Sequence, residues 1–142
     1  MSDNSYLQWL VQETKTTWWH DSGDPQELDL ALLHGASGVT TNPLLSYRAW
    51  AAKPDYFRAL LGALPAGVSP EEKADLLMRV VVQDAARKLE AIYHKWDGAQ
   101  GYACAQVNPA RAGDREAMLQ MARVHHAWAP NIAVKLPVNL AG

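Results

Sequence analysis

NIAVKLPV (Asn131–Val138), near the C-terminal end of the chain, is an aliphatic, β-branched run that carries one charge, Lys135. Residues two apart on a strand share a face, so Ile132, Val134 and Leu136 lie on one side and Ala133, Lys135 and Pro137 on the other. A lysine between Val134 and Leu136 is costly to bury without a partner or a purpose; a solvated edge strand is the plain alternative. Three earlier stretches have the same character: TTWWHD (Thr16–Asp21), GVTTN (Gly38–Asn42) and GYACAQVN (Gly101–Asn108). By the same parity Asp21 sits with Trp19 and Thr17, Asn42 with Thr40 and Gly38, and Gln106 with Cys104 and Tyr102. In each stretch the polar residue falls at or near the C-terminal end.

Helical signals separate these strands. Ser5 to Glu13 is amphipathic, with Leu7, Leu10 and Val11 on one face. Asp24-Pro25 supplies an N-cap and a first-turn proline for ELDLALLHGA, which closes near Gly35. Pro43 opens helical turns through Trp50, and a further helical segment follows Pro54. Ser69 and Glu72 form a capping box around Pro70. Leu76, Leu77, Val80, Val81, Ala85, Leu89 and Ile92 then recur at helical spacing, predicting a helix to about Lys95. Asp114 caps REAMLQMARVHHAWA.

Strands alternating with helices predict an α/β fold of parallel βαβ units, with extra helices between the second and third strands. Two architectures compete, an open doubly wound sheet and part of a (β/α) barrel of TIM type. The first strand-to-helix turn, DSGDP, lacks the glycine fingerprint of a dinucleotide site, and no phosphate loop occurs elsewhere. If the sheet curls into a barrel, Asp21, Asn42, Gln106 and Lys135 converge at the mouth where barrel enzymes hold their active sites.

Composition narrows the class. The chain has 142 residues, 49% of them hydrophobic, enough for a single domain over residues 1–142. A net charge of −2 with scattered charges gives no basic surface for nucleic acid. One cysteine, Cys104, excludes a disulfide framework and suits a reducing compartment. The N-terminus has no basic start and no apolar core of a signal peptide, and no run reaches membrane-spanning length, so a cytoplasmic protein is expected. His125 and His126 are adjacent and do not share a helix face, so no metal site is expected, and no cofactor is implied.

Each candidate has a plainer reading. Asn42 precedes a proline and equally suits a helix cap. Asp21 suits the turn at Gly23, and Gln106 a strand end satisfied by backbone. Trp18 and Trp19 suit packing, and Cys104 a small buried hydrophobe. A desolvated lysine beside a carboxylate, however, fits Schiff-base chemistry: the free amine attacks a carbonyl, and the carboxylate moves the proton of a substrate hydroxyl. Burial lowers a lysine pKa and a close carboxylate raises it, so the balance is open at this point.

HDSGD (His20–Asp24), GVTTNP (Gly38–Pro43), AQVNP (Ala105–Pro109) and PNIAVKLPV (Pro130–Val138) resemble, in order and spacing, the successive strand motifs of the transaldolase and fructose-6-phosphate aldolase family. The resemblance covers nearly the whole chain, and TTNP and VKLP are its most specific elements. It implies that Lys135 is the Schiff-base lysine, Asp21 the general acid/base and Gln106 a residue positioning the catalytic water. It also implies that Asn42 and Thr40 contact substrate oxygens, that the substrate is a sugar phosphate, and that the chemistry is of pentose phosphate type.

Three departures qualify it. Gln106 stands where transaldolases proper usually carry glutamate, and glutamine there is similar to the fructose-6-phosphate aldolase branch. Asn139 stands where threonine is common. The family fold has eight strands, whereas this sequence is similar to its N-terminal half and lacks the phosphate-binding serine and arginine of later strands. The expectation is a half-barrel with open edges that pairs with a second copy or a complementary half, or else aggregates. The alternative function is a catalytically incomplete half acting only through assembly.

Overall fold

The computed structural model describes residues 6–140. Four parallel strands, β1 (Trp19–His20), β2 (Gly38–Val39), β3 (Tyr102–Gln106) and β4 (Ile132–Lys135), form one sheet in the order β1-β2-β3-β4. Helix α1 (Tyr6–Glu13) precedes β1, α2 (Pro25–Leu33) joins β1 to β2, and α6 (Arg115–His126) joins β3 to β4. Helices α3 (Pro43–Ala52), α4 (Pro54–Leu61) and α5 (Pro70–Lys95) fill the connection between β2 and β3. The expected element order is therefore observed, although the expected start at Ser5 lies outside the described residues.

The strands are shorter than their sequences suggest. Only Trp19 and His20 of TTWWHD, and only Gly38 and Val39 of GVTTN, pair as ladder. β4 ends at Lys135, and α6 ends at His126 rather than continuing through Ala129. Pro137 has no amide proton to extend a ladder.

The caps are local and legible. Asp24 Oδ1 accepts from the Gln26 and Glu27 amides at 2.8 and 3.1 Å, and Asp114 Oδ1 from the Ala117 amide at 3.0 Å. Ser69 and Glu72 form the reciprocal capping box at the start of α5.

One face of the sheet builds the core. Val39, Ala103, Ala105 and Ile132 pack with Leu28 of α2 and with Met78, Val82, Ala85, Ala86 and Leu89 of α5. A doubly wound sheet has helices on both faces, whereas no side chain of the opposite face joins this cluster. The N-terminal half of α5 instead lies over α3 and α4: Val81 packs with Ala49 and Phe57, and Trp50 Nε1 donates to the Leu77 carbonyl at 2.9 Å. That contact leaves Leu76 and Leu77 half-buried and brings Asp84 inside, 5% exposed. Asp84 accepts from Tyr56 at 3.0 Å and pairs with Arg87, which satisfies the buried carboxylate. Burial, then the Asp84 carboxylate, pushes the Tyr56 hydroxyl above its usual range.

Two glycines mark close approaches. Gly101 has φ +87° and lies where a Cβ would collide with the Tyr93 backbone of α5. A Cβ on Gly38 would come within 2.5 Å of the Trp19 indole, so the ring lies against its strand neighbour.

Candidate active site

The ladder fixes which side chains share a face. Trp19 pairs with Gly38, Gly38 with Tyr102, Cys104 with Ala133, and Gln106 with Lys135. Asp21 and Thr40 follow His20 and Val39 by one residue and fall on the face of Trp19 and Gly38. The backbone continues this register, with the Thr40 amide donating to the His20 carbonyl at 2.7 Å.

Asp21 and Thr40 touch directly: the Thr40 hydroxyl donates to Asp21 Oδ1 at 2.6 Å. The Asp21 carboxylate is exposed and Thr40 half-buried. Thr41, on the opposite parity, is buried and donates to the Cys104 carbonyl at 2.7 Å, tying the end of β2 to β3. The end of β2 is thus pinned from both sides, by Thr40 to β1 and by Thr41 to β3.

Asn42 is the N-cap of α3, its Oδ1 accepting from the Leu45 amide at 2.9 Å. Its amide nitrogen makes no hydrogen bond among the described residues. Gln106 is half-buried and sits beside Lys135 across the β3–β4 ladder. The Val107 amide donates to the Lys135 carbonyl at 3.2 Å and holds the two strand ends together.

Lys135 is exposed, in agreement with the plain alternative of a solvated strand residue. It lies at the end of an edge strand, on the face outside the core cluster, and makes no ion pair among the described residues.

Cys104 is not the small buried hydrophobe expected from its sequence but stands half-buried on this same face, one step below Gln106. Burial pushes its thiol up, while the Lys135 ammonium pulls it the other way, so thiol and ammonium are electrostatic neighbours. The parity that groups Cys104 with Gln106 was the available signal.

A cleft of about 270 Å³ opens between α3 and the start of α5, and none of the site residues above lines it. Pro43 and Asn108 line it, each one or two positions beyond a site residue, together with Trp50 and Asp75. Burial, then the neighbouring Glu71, raises the Asp75 carboxyl above its ordinary value. No group of three or more His, Cys, Asp or Glu side chains among the described residues is placed to hold a metal ion.

Parallel strand–helix units with polar side chains gathered at the strand C-terminal ends define an α/β protein whose candidate site lies at that end of the sheet. The family model for transaldolase/fructose-6-phosphate aldolase matches residues 18–142, and the chain belongs to this family. It is 31% identical over 146 aligned positions to transaldolase 1 of Streptomyces avermitilis, covering 96% of this chain and 38% of that protein. A transaldolase of Thermobifida fusca is 32% identical over 109, covering 74% and 29%. One of Neisseria gonorrhoeae is 27% identical over 118, covering 82% and 34%. The chain thus spans about a third of the length of these relatives.

Proposed function

We propose that this chain carries the amine and carboxylate half of a Schiff-base aldolase or transaldolase site, within a (β/α) barrel of which it forms the first four strands. The observation that carries the reading is the placement of Asp21, Thr40, Gln106 and Lys135 on one face at one end of a parallel sheet. The helices of the core pack on the other face only, as in a barrel wall.

In this reading the free amine of Lys135 attacks the ketone carbon of a ketose phosphate to give a carbinolamine. Loss of water leaves a protonated imine. The carbon–carbon bond beta to the imine carbon then breaks, its electron pair moving toward the iminium nitrogen, while Asp21 takes the proton of the hydroxyl on the departing fragment, whose oxygen becomes the aldehyde carbonyl. An aldehyde leaves, and the dihydroxyacetone unit stays on Lys135 as an enamine, for hydrolysis or transfer to an acceptor aldehyde.

Thr40 donates to one oxygen of Asp21, which fixes the carboxylate and leaves its second oxygen for the substrate hydroxyl. The Thr40 oxygen retains an acceptor lone pair for a substrate hydroxyl. Asn42 offers amide donors to substrate oxygens, and Gln106, next to Lys135, positions the water lost and regained at the carbinolamine. The substrate is a sugar phosphate. Exposure of Lys135 favours a second reading in parallel, that the amine reaches its dry environment only once the barrel is completed by another half or another copy.

Borohydride trapping with fructose 6-phosphate, and separately with dihydroxyacetone, tests the chemistry by intact mass and peptide mapping. The expected result is a stable adduct on Lys135 that disappears in Lys135→Ala. Folded protein giving no adduct on Lys135 overturns activity of this chain by itself.

A further inference from the structure

The cleft of about 270 Å³ between α3 and the start of α5 is acidic as well as aromatic. Its walls are α3, α5 and the turn after β3, all attached to the two inner strands, so neither edge of the sheet takes part. Glu71 and Asp75 line it, and no lysine or arginine does. They stand four residues apart on α5, where like charges repel. Neither carboxylate has an ion-pair partner among the described residues. The dipole of α5 favours Glu71 in the first turn, whereas Asp75 lies beyond it. Burial, then Glu71, holds the Asp75 carboxyl above its ordinary value, as befits a carboxylate short of a counterion.

The opposite wall supplies a second pointer. Pro43, Ser46, Tyr47 and Trp50 recur at helical spacing and turn one face of α3 to the cleft. Ser46 is 2% exposed, and its hydroxyl has no hydrogen-bond partner. A buried hydroxyl left unpaired is costly and uncommon. The Trp50 ring is held in place, its N–H given to the Leu77 carbonyl at 2.9 Å and Phe57 packed against it with centroids 5.5 Å apart. Indole is the best aromatic partner for a cation, and Tyr47 adds a second ring to the same wall.

We propose that this cleft binds a small organic ammonium ion, a protonated primary amine whose N–H groups meet Asp75, Glu71 and Ser46 and whose apolar body lies against Trp50 and Tyr47. An ammonium has three donors and no acceptor, which matches two carboxylates and a hydroxyl lone pair. A neutral molecule leaves the acid pair uncompensated, and an anion adds a further negative charge to it. The assignment is independent of the Schiff-base reading, since Asp21, Thr40, Asn42, Gln106 and Lys135 do not line the cleft.

Phenethylamine, protonated at neutral pH, is the probe, with 2-phenylethanol and 3-phenylpropionate as its neutral and anionic counterparts. Titrations are followed by the sequentially assigned indole N–H signal of Trp50 in nitrogen-15 NMR. The amine is expected to shift that signal saturably, with a Kd near or below about 1 mM, and the other two to leave it in place. Glu71 and Asp75 are exposed, so neutralising them spares the fold. Asp75→Asn is expected to weaken binding about tenfold, and Glu71→Gln by less. Ser46→Ala is expected to weaken it too while holding or raising the urea midpoint, because it removes an unpaired polar group. The proposal is overturned if the amine gives no saturable shift at Trp50 or the alcohol binds as well. Unchanged affinity in Asp75→Asn or Ser46→Ala overturns it equally. The borohydride trapping succeeds or fails separately from these outcomes.

Discussion

Along β3 the burial alternates with each step: Ala103, Ala105 and the following Val107 are fully buried, while Cys104 and Gln106 keep partial access to solvent. The same alternation runs across the sheet, with Val39 and Ile132 in the core and Thr40 and Lys135 on the other side. One face is close-packed against α2 and α5, where a lost methylene is felt at once. The other carries hydroxyl, thiol, amide, carboxylate and ammonium groups, with solvent access for substitutions to use. The difference separates what holds this fold from what would do chemistry on it.

Three experiments probe that separation. The largest effect is expected on the packed side: Leu89→Ala, at a fully buried site in α5, should cost about 2–5 kcal/mol in urea unfolding. A midpoint unchanged from wild type would mean that α5 does not lock the sheet.

A smaller effect is expected at His125, which is 3% exposed, stacks on Trp128 with ring centroids 4.2 Å apart and leaves Nδ1 unpartnered. Burial holds its pKa below the ordinary value of 6.5. The unfolded chain therefore binds a proton that the folded chain refuses. The stability is fully present above the unfolded value and is lost as pH falls through the folded one. His125→Phe should keep the ring stack and flatten this acid-side loss, read from urea midpoints on either side of that value.

The smallest effect on stability is expected on the open face. Lys135→Ala should move the unfolding midpoint by no more than about 0.5 kcal/mol. It should still slow alkylation of Cys104 at a fixed pH, because removing the ammonium removes the influence that opposes burial and lifts the thiol further. A faster rate would mean that Lys135 shields the thiol sterically.

Much of this was legible in the sequence because it is local. Asp24, Ser69 with Glu72 and Asp114 announce their helices within four residues, and the caps form as read. Parity needs only one anchor per strand, so it assigns Asp21, Thr40, Gln106 and Lys135 to one face even though β1 and β2 pair over only two residues each. What escaped was non-local. The interior place of Asp84 depends on Tyr56, 28 residues earlier, and so could not be read from the helical spacing of α5. The exposure of Lys135 was one of two readings its sequence left open, since flanking Val134 and Leu136 suit either a buried strand or a solvated one.

In the proposed site, position 42 has two tasks at once. The carbonyl of the Asn42 side chain is occupied in starting α3, while its amide group remains uncommitted among the described residues. Asp or Ser preserves the helix start, but Asp offers no proton at neutral pH and Ser has only one short hydroxyl to divide between the tasks. If the proposed site holds, neutral drift at this position should be narrower than at the caps Ser69 and Asp114, which lie outside that site.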